Sequence, residues 1–321
     1  MVFPSQRFKE RTFMDLNFNS KNEDTVYTGR LFSDIIDFQK DVKVRVTNDE
    51  HINIEPAVHV IDHIVITPNL IEKIYMSKDL LCGEEDYLIY HPVHALLFVL
   101  KIGEALKFSR KELFELGLSA LLYDAGMYKV PESIIQKDDR LTESEVRTMR
   151  QHTEIGRNIL ETLEEKYSFL PRVAYEHHER ESGQGYPRGI KGNEIHRYAK
   201  VLGLADTYEA MTHDRPYRKA LLKHSSVKEL VGSKNLLFPA NLIKVSLEEI
   251  GLYPIGSYVR INNGAVGQVI ATSKTYPLKP TIKLIFNSQG NAVSEETIIN
   301  LGDHPVLYVS EAIHKGELSR G

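Results

Sequence analysis

The chain has 321 residues, a formal net charge of −4 and one cysteine, Cys82. This length holds about two domains, and its 42% hydrophobic and 26% charged content is ordinary for a soluble globular protein. The weak negative charge gives no support for binding to nucleic acid or an anionic membrane, and a lone cysteine excludes an intramolecular disulfide. The start lacks the apolar core of a signal peptide, and no apolar run approaches the roughly 20 residues that span a membrane. We therefore expect a cytoplasmic protein.

The first 66 residues begin with a polar stretch and continue with short apolar runs. Within these runs, apolar residues alternate with other residues: Val42, Val44 and Val46, then Ile52 and Ile54, then Val58 and Val60. A period of two is typical of strands with one buried face. The pattern predicts a small β or α/β domain over residues 1–66, with either a scaffolding or a ligand-sensing role.

Residues 67–250 show the apolar spacing of buried helices, most clearly over 84–106 and 111–123. Thr142 and Glu145 have the spacing of a capping box. That box predicts where the helix carrying His152 begins, and hence where its imidazole points. His94 lies one helical turn from His91. It is interpreted as a core histidine or as a residue that supports the candidate metal ligands described below.

The segment from His177 to Pro187 joins two adjacent histidines to a glycine-rich turn. Neighbouring side chains on a helix point about 100° apart, so both imidazoles reach one metal ion only if it lies off the helix end. Neutral imidazole is a ligand for iron, manganese, nickel or zinc. The His177-His178 pair alone is equally compatible with a polar helix end that runs into a surface loop.

Four further candidate ligands lie in apolar helical settings: His91, Asp124, His152 and Asp206. A carboxylate in a run such as Gly-Leu-Ala-Asp206 is costly to bury unpaired. Metal coordination is one remedy, and a neighbouring arginine or a helix cap is another. Each residue taken singly is more typical of a structural role than of a metal ligand.

Residues 251–321 change in character. Asn262-Asn-Gly264 and Asn287-Ser-Gln-Gly290 are turn signals between short alternating runs. We expect a small β-rich extension packed on the helical core. The predicted fold is therefore mainly α, with a small β-containing N-terminal domain and a β-rich C-terminal tail.

Taken in chain order, these motifs resemble the HD-GYP family, a branch of the HD-domain metal-dependent phosphohydrolases. The resemblance covers roughly residues 85–312. It rests on five motifs: Pro131 through Lys137 to the Leu141-Thr-Glu-Ser-Glu145 helix start, His152-Thr-Glu-Ile-Gly156, His177-His178 with Gly185-Tyr186-Pro187, Ala205-Asp206-Thr-Tyr-Glu-Ala-Met-Thr, and Arg215-Pro-Tyr-Arg218. It implies an HD-domain helical bundle that holds metal ions, usually iron or manganese. The usual substrate of the family is cyclic di-GMP, which is cut to pGpG or GMP.

The resemblance assigns roles to particular residues. The implied ligands of one or two divalent ions are His91, Asp124, His152, His177, His178 and Asp206, and Asp124 is the implied catalytic residue. Tyr186, Arg215 and Arg218 are the implied substrate-binding residues, because arginine matches phosphate oxygens. Ion pairing with nearby carboxylates is the alternative for the two arginines. In the family, the Gly185-Tyr186-Pro187 loop is also associated with partner proteins, including diguanylate cyclase domains.

Three departures from the family pattern cluster on one side of this site. Tyr123 precedes Asp124 where the family has histidine, Met127 replaces a lysine, and Tyr87 replaces an acidic ligand of some members. Loss of one metal clamp impairs hydrolysis of a phosphodiester more than ligand binding, because hydrolysis needs both reacting oxygens held. We therefore predict a degenerate HD-GYP protein, a receptor or adaptor for cyclic di-GMP with weak or no hydrolysis. The alternative is an active metal-dependent phosphodiesterase.

Overall fold

The computed structural model describes residues 21–76, 86–212, 221–234, 236–273 and 275–318, with side chains from residue 26 onward. The α-helices of these residues are α1 (Lys21–Thr47), α2 (Glu55–Ile66), α3 (Leu70–Met76), α4 (Tyr87–Ala105), α5 (Arg110–Leu122), α6 (Glu132–Ile135), α7 (Glu143–Arg150), α8 (His152–Leu160), α9 (Phe169–Glu176), α10 (Arg197–Thr212), α11 (Lys223–Gly232) and α12 (Ala240–Ile250). The strands are β1 (Tyr258–Ile261), β2 (Val266–Ala271), β3 (Thr281–Phe286), β4 (Ile298–Asn300) and β5 (Val309–Ile313). The predicted mainly-α fold with a β-rich C-terminal region is confirmed.

The strands predicted within the first 66 residues are wrong, because α1 and α2 occupy this part of the chain. Val42 and Val46 are buried in α1, whereas Val44 between them is 56% exposed. Residues four apart lie on the same face of a helix, so a run spaced by two also contains a helical pair. Such short runs therefore do not distinguish the two-residue period of a strand from the four-residue spacing of a helix face.

One buried cluster joins these first helices to the later ones. Leu31 and Ile35 of α1 and Ile61 of α2 pack in the same core as Leu96 of α4 and Leu116 of α5. Among the described residues, α4 is long and apolar enough to cross a membrane by length and composition, and most of it is buried by other helices. Its apolar character is that of a central core helix.

The predicted capping box is present at the start of α7. The Thr142 hydroxyl accepts a hydrogen bond from the Glu145 amide, and the Glu145 carboxylate accepts one from the Thr142 amide. However, α7 ends at Arg150, and His152 is the first residue of the separate helix α8. The box therefore starts the preceding helix and does not set the direction of the His152 imidazole.

The C-terminal strands form one antiparallel sheet with the order β4-β3-β2-β1-β5. The predicted turn at Gly264, with a φ of 90°, connects β1 to β2. The sheet has its own buried cluster, which includes Val259, Val269 and Ile282. The chain between α12 and β1 contacts the helical part through α11, where the His224 ring stacks on Tyr253 with centroids 4.6 Å apart.

Gly126 allows the turn after α5 to approach the start of α8. A Cβ atom at this position would overlap the carbonyl oxygen of His152. We predict that Gly126→Ala destabilises the fold by about 1–3 kcal/mol, because backbone atoms cannot move aside as a flexible side chain does. The free energy of unfolding measured in urea checks this.

Gly29→Ala in α1 is the matched control, since no atom lies within 4 Å of the Cβ that it would add. This change is expected to stabilise by about 0.5–1 kcal/mol, the usual gain for alanine over glycine inside a helix. Equal unfolding midpoints for the two variants would contradict the close approach at Gly126.

Candidate metal centre

The six predicted ligands meet in the helical core as two sets of three. Within each set, potential ligand atoms lie within 4.8 Å of one another. The histidine set consists of His152, His177 and His178. The carboxylate set consists of Asp124 and Asp206 together with His91.

The imidazoles of the histidine set are oriented by the main chain. His152 Nδ1 donates to the carbonyl oxygen of Met149 at 2.7 Å, and His177 Nδ1 donates to that of Ala174 at 2.8 Å. Each bond leaves the Nε2 lone pair free to bind a metal ion, and the two Nε2 atoms lie 3.4 Å apart. Burial lowers the pKa of His152, and burial together with the neighbouring histidines lowers the pKa of His178 well below its ordinary value. Both lower pKa values favour neutral imidazoles, the form that binds metal.

In the carboxylate set, His91 of α4 is surrounded by acidic side chains. Its Nε2 atom lies 3.0 Å from Asp206 Oδ1 and 3.4 Å from Asp124 Oδ2, and its Nδ1 atom lies 2.5 Å from Glu209 Oε2. Burial alone would lower the pKa of His91, but Glu209, Asp124 and Asp206 outweigh it and raise that pKa well above its ordinary value. A positive charge is therefore strongly stabilised here, whether on an imidazolium or on a metal cation.

Asp124 lies between the two sets. Its Oδ1 atom is 3.4 Å from His152 Nε2 and 3.5 Å from His177 Nε2, while Oδ2 faces His91. Burial would raise the pKa of Asp124, but His177, His91 and His152 hold it well below its usual range. Among the described residues Oδ1 is buried and accepts no hydrogen bond. A buried, ionised oxygen without a donor is costly, and a metal ion would satisfy it. This donor set therefore fits divalent metal ions.

Tyr123 and Tyr87 both contact His91. The Tyr123 hydroxyl lies 2.6 Å from His91 Nε2, and the Tyr87 hydroxyl lies 2.9 Å from His91 Nδ1. Tyr123 is 1% exposed, and burial raises the pKa of its phenol well above the ordinary value. The phenol therefore stays protonated, a form that binds metal poorly. The third departure, Met127, lies in the 3-10 turn (Ala125–Lys129) after Asp124.

Glu209 belongs to the site and was missed by the sequence analysis. It is 5% exposed and hydrogen-bonds to His91, so it orients that imidazole as carboxylates often orient metal-bound histidines. Its position three residues after Asp206 places both carboxylates on one face of α10, which was the available signal. His94 Nδ1 lies 3.6 Å from Glu209 Oε1, which agrees with its predicted supporting role.

The Gly185-Tyr186-Pro187 loop covers the histidine set. The Tyr186 ring stacks on His178 with centroids 4.6 Å apart, and the Tyr186 amide donates to the His178 carbonyl at 3.2 Å. A Cβ atom on Gly185 would overlap the same carbonyl oxygen, so the loop requires glycine there. Tyr186 therefore lies at the predicted site, whereas Arg215 and Arg218 lie outside the described residues.

Comparison with known families agrees with this geometry. A family model described as HD domain matches residues 74–240, and one described as KOW domain associated with HD domain matches residues 258–321. The first match spans more than half of the chain, so the chain belongs to the HD domain family, whose members bind divalent metals. Within that family it belongs to the HD-GYP branch, as predicted.

Several curated relatives are named as cyclic-dinucleotide phosphodiesterases. A cyclic di-GMP phosphodiesterase of Pseudomonas aeruginosa is 28% identical, over 68% of this chain and 52% of the relative. One from Thermotoga maritima is 32% identical, over 46% of this chain and 40% of the relative. The 3'3'-cGAMP-specific phosphodiesterase 3 of Vibrio cholerae is 33% identical, over 43% of this chain and 30% of the relative. The chain thus spans at most about half the length of these relatives.

One solved structure has the same fold. The HDG"Y"P protein from Bdellovibrio bacteriovorus aligns with a TM-score of 0.57 over 72% of this chain and 73% of its own, at 15% identity. At this identity the match shows similarity of fold alone.

Removal of one imidazole tests the metal centre. We predict that His177→Ala lowers the amount of divalent metal bound per chain and removes the rise in melting temperature that added metal produces, since a ligand of the folded state stabilises it. Elemental analysis and thermal unfolding with and without manganese measure the two effects. His59→Ala in α2, an exposed position, is the control. Equal metal content in both variants would exclude His177 as a ligand.

Proposed function

We propose that this chain is a metal-dependent phosphodiesterase that hydrolyses a cyclic dinucleotide, with cyclic di-GMP as the first candidate. The position of Asp124, an ionised carboxylate shared between two three-residue ligand sets, carries this proposal. Two ligand sets that share one carboxylate would hold two metal ions close together, as two-metal phosphodiester hydrolysis needs. The names of the curated relatives support the substrate class.

The residues divide the work by position. The histidine set would hold one ion and the carboxylate set a second, with Asp124 reaching both. Divalent ions held there, of which iron or manganese suits this donor set, would supply Lewis-acid chemistry at the phosphate and at water. The carbonyl groups of Met149 and Ala174 hold the imidazoles of His152 and His177 in position. Glu209 orients His91. Tyr186 lies over His178 and limits the access of bulk water to that side.

The second candidate is the receptor or adaptor that the sequence analysis favoured. Tyr123 supports it, because a protonated, buried phenol beside His91 occupies the place of the family histidine. The histidine set, however, is complete without Tyr123, and the carboxylate set keeps three ligands, which suffice for a catalytic metal. The diguanylate cyclase partner and the cytoplasmic location stay predictions.

Turnover of cyclic di-GMP tests the proposed function directly. Anaerobically reconstituted protein with iron(II) or manganese(II) is expected to form pGpG or GMP, detected by chromatography. Asp124→Asn is expected to abolish product, because a neutral amide removes the negative charge shared by the two sets. His59→Ala should retain wild-type turnover. Wild-type protein that carries metal yet forms no product would contradict the enzyme and favour the receptor.

Tyr123→His tests whether the tyrosine limits catalysis. An imidazole in this place adds a ligand to the carboxylate set, so we predict more bound metal and an increase in kcat/KM of about tenfold or more, the scale of effect seen at metal sites. Tyr123→Phe keeps the ring and removes only the hydroxyl, and is expected to give no such increase. Unchanged metal content and turnover in Tyr123→His would show that the native tyrosine is not the limiting feature.

A further inference from the structure

Arg150 is the last residue of α7 and lies two positions before His152, the first residue of α8. Its side chain is exposed, whereas the His152 side chain is buried. The main chain at this helix break therefore places an exposed cation next to a ligand of the histidine set. The Thr153 hydroxyl donates to the Arg150 carbonyl at 3.1 Å and fixes the break.

The Arg150 guanidinium is held by an aromatic contact. Its Cζ atom lies 4.7 Å from the centroid of the Tyr186 ring, within the range of a cation–π interaction. The same ring stacks on His178 at 4.6 Å and lies edge-on to His152 at 6.4 Å. The ring therefore connects Arg150 to the metal centre and holds the guanidinium at its rim.

No carboxylate within the described parts of the chain forms an ion pair with Arg150. By contrast, Arg147 on the same helix lies 3.9 Å from Glu143, and Lys137 lies 2.7 Å from Glu145. A planar guanidinium fixed at a metal centre, without an acidic neighbour of its own, suits an anion with two oxygens to share.

A cyclic dinucleotide supplies such an anion, because it contains two phosphodiester groups separated by a ribose. When the metal centre holds the phosphate that is cut, the other phosphate lies outside the centre. We propose that Arg150 binds this second phosphate and so selects cyclic dinucleotides over substrates with one phosphate. This inference rests on the proposed function and adds a substrate-binding residue to it.

A purely structural role for Arg150 makes a different prediction. A cation in the last turn of α7 stabilises the helix through its dipole, and that effect depends on charge and not on any substrate. Thermal unfolding of Arg150→Ala and Arg150→Lys measures this contribution separately. The substrate-binding role requires an effect on KM beyond any change in stability.

The experiment compares two substrates on manganese-loaded protein: cyclic di-GMP and bis(p-nitrophenyl) phosphate, a diester with a single phosphate. Arg150→Ala is expected to raise KM for cyclic di-GMP by about tenfold, the scale of one lost charged hydrogen bond, with little change in kcat. KM for the single-phosphate diester is expected to stay near the wild-type value. Arg150→Lys, which keeps the charge, should lie between wild type and Arg150→Ala.

Arg147→Ala is the matched control. It removes an exposed arginine from the same helix, and that arginine lies next to Glu143. Equal losses on both substrates would overturn the proposal, as would no loss on either. If wild-type protein does not hydrolyse cyclic di-GMP, the enzymatic function fails, and calorimetric binding of cyclic di-GMP to the same variants decides the role of Arg150. Binding weakened about tenfold in Arg150→Ala alone would then support it. Wild-type protein that neither hydrolyses nor binds cyclic di-GMP would overturn both proposals.

Discussion

The carboxylate of Asp124 is the constraint on which the rest of the site depends. It is ionised although it is largely buried and its Oδ1 atom is fully so, because imidazoles from α4, α8 and the end of α9 lie around it. Removing a charged carboxylate from water costs several kcal/mol, and only compensating cations or donors make that burial tolerable. The helical core is therefore built around a polar centre, and the same centre is what metal ions would bind.

Whether the chain acts as an enzyme or as a receptor depends on how the site accommodates Tyr123, which stands where the family has histidine. Tyr123 is fully integrated in the core, with its ring packed on His177 and its hydroxyl on His91. The hydroxyl that takes the place of the family histidine is therefore buried and has a hydrogen-bond partner. A site that had only lost its function would have no need to keep six converging ligands. The retained set therefore favours a metal-binding role over a purely structural one, and turnover distinguishes an enzyme from a receptor.

Much of the site was predictable from the sequence, because the ligand motifs have fixed types and a fixed order. The six predicted ligands lie together in the core, although they come from positions as distant as His91 and Asp206, and their role as ligands stays a prediction. Glu209 was missed because its spacing from Asp206 shows only that the two carboxylates share a face of α10, whereas its contact with His91 arises from the packing of α10 against α4. The N-terminal strands were wrong because a run with a two-residue period also contains residues four apart, such as Val42 and Val46, which share one face of a helix. The helix break before His152 followed no sequence signal.

Gly126, Gly156 and Gly203 all lie where main-chain segments come close together at the candidate metal centre. The backbone at Gly126 packs on the main chain of α8, and that of Gly203 packs on the carbonyl of His177. These main-chain contacts therefore help to fix the spacing between the two ligand sets. Exchange of the surrounding apolar residues for others of similar volume is therefore expected to change the stability of the bundle more than the spacing of the two ligand sets.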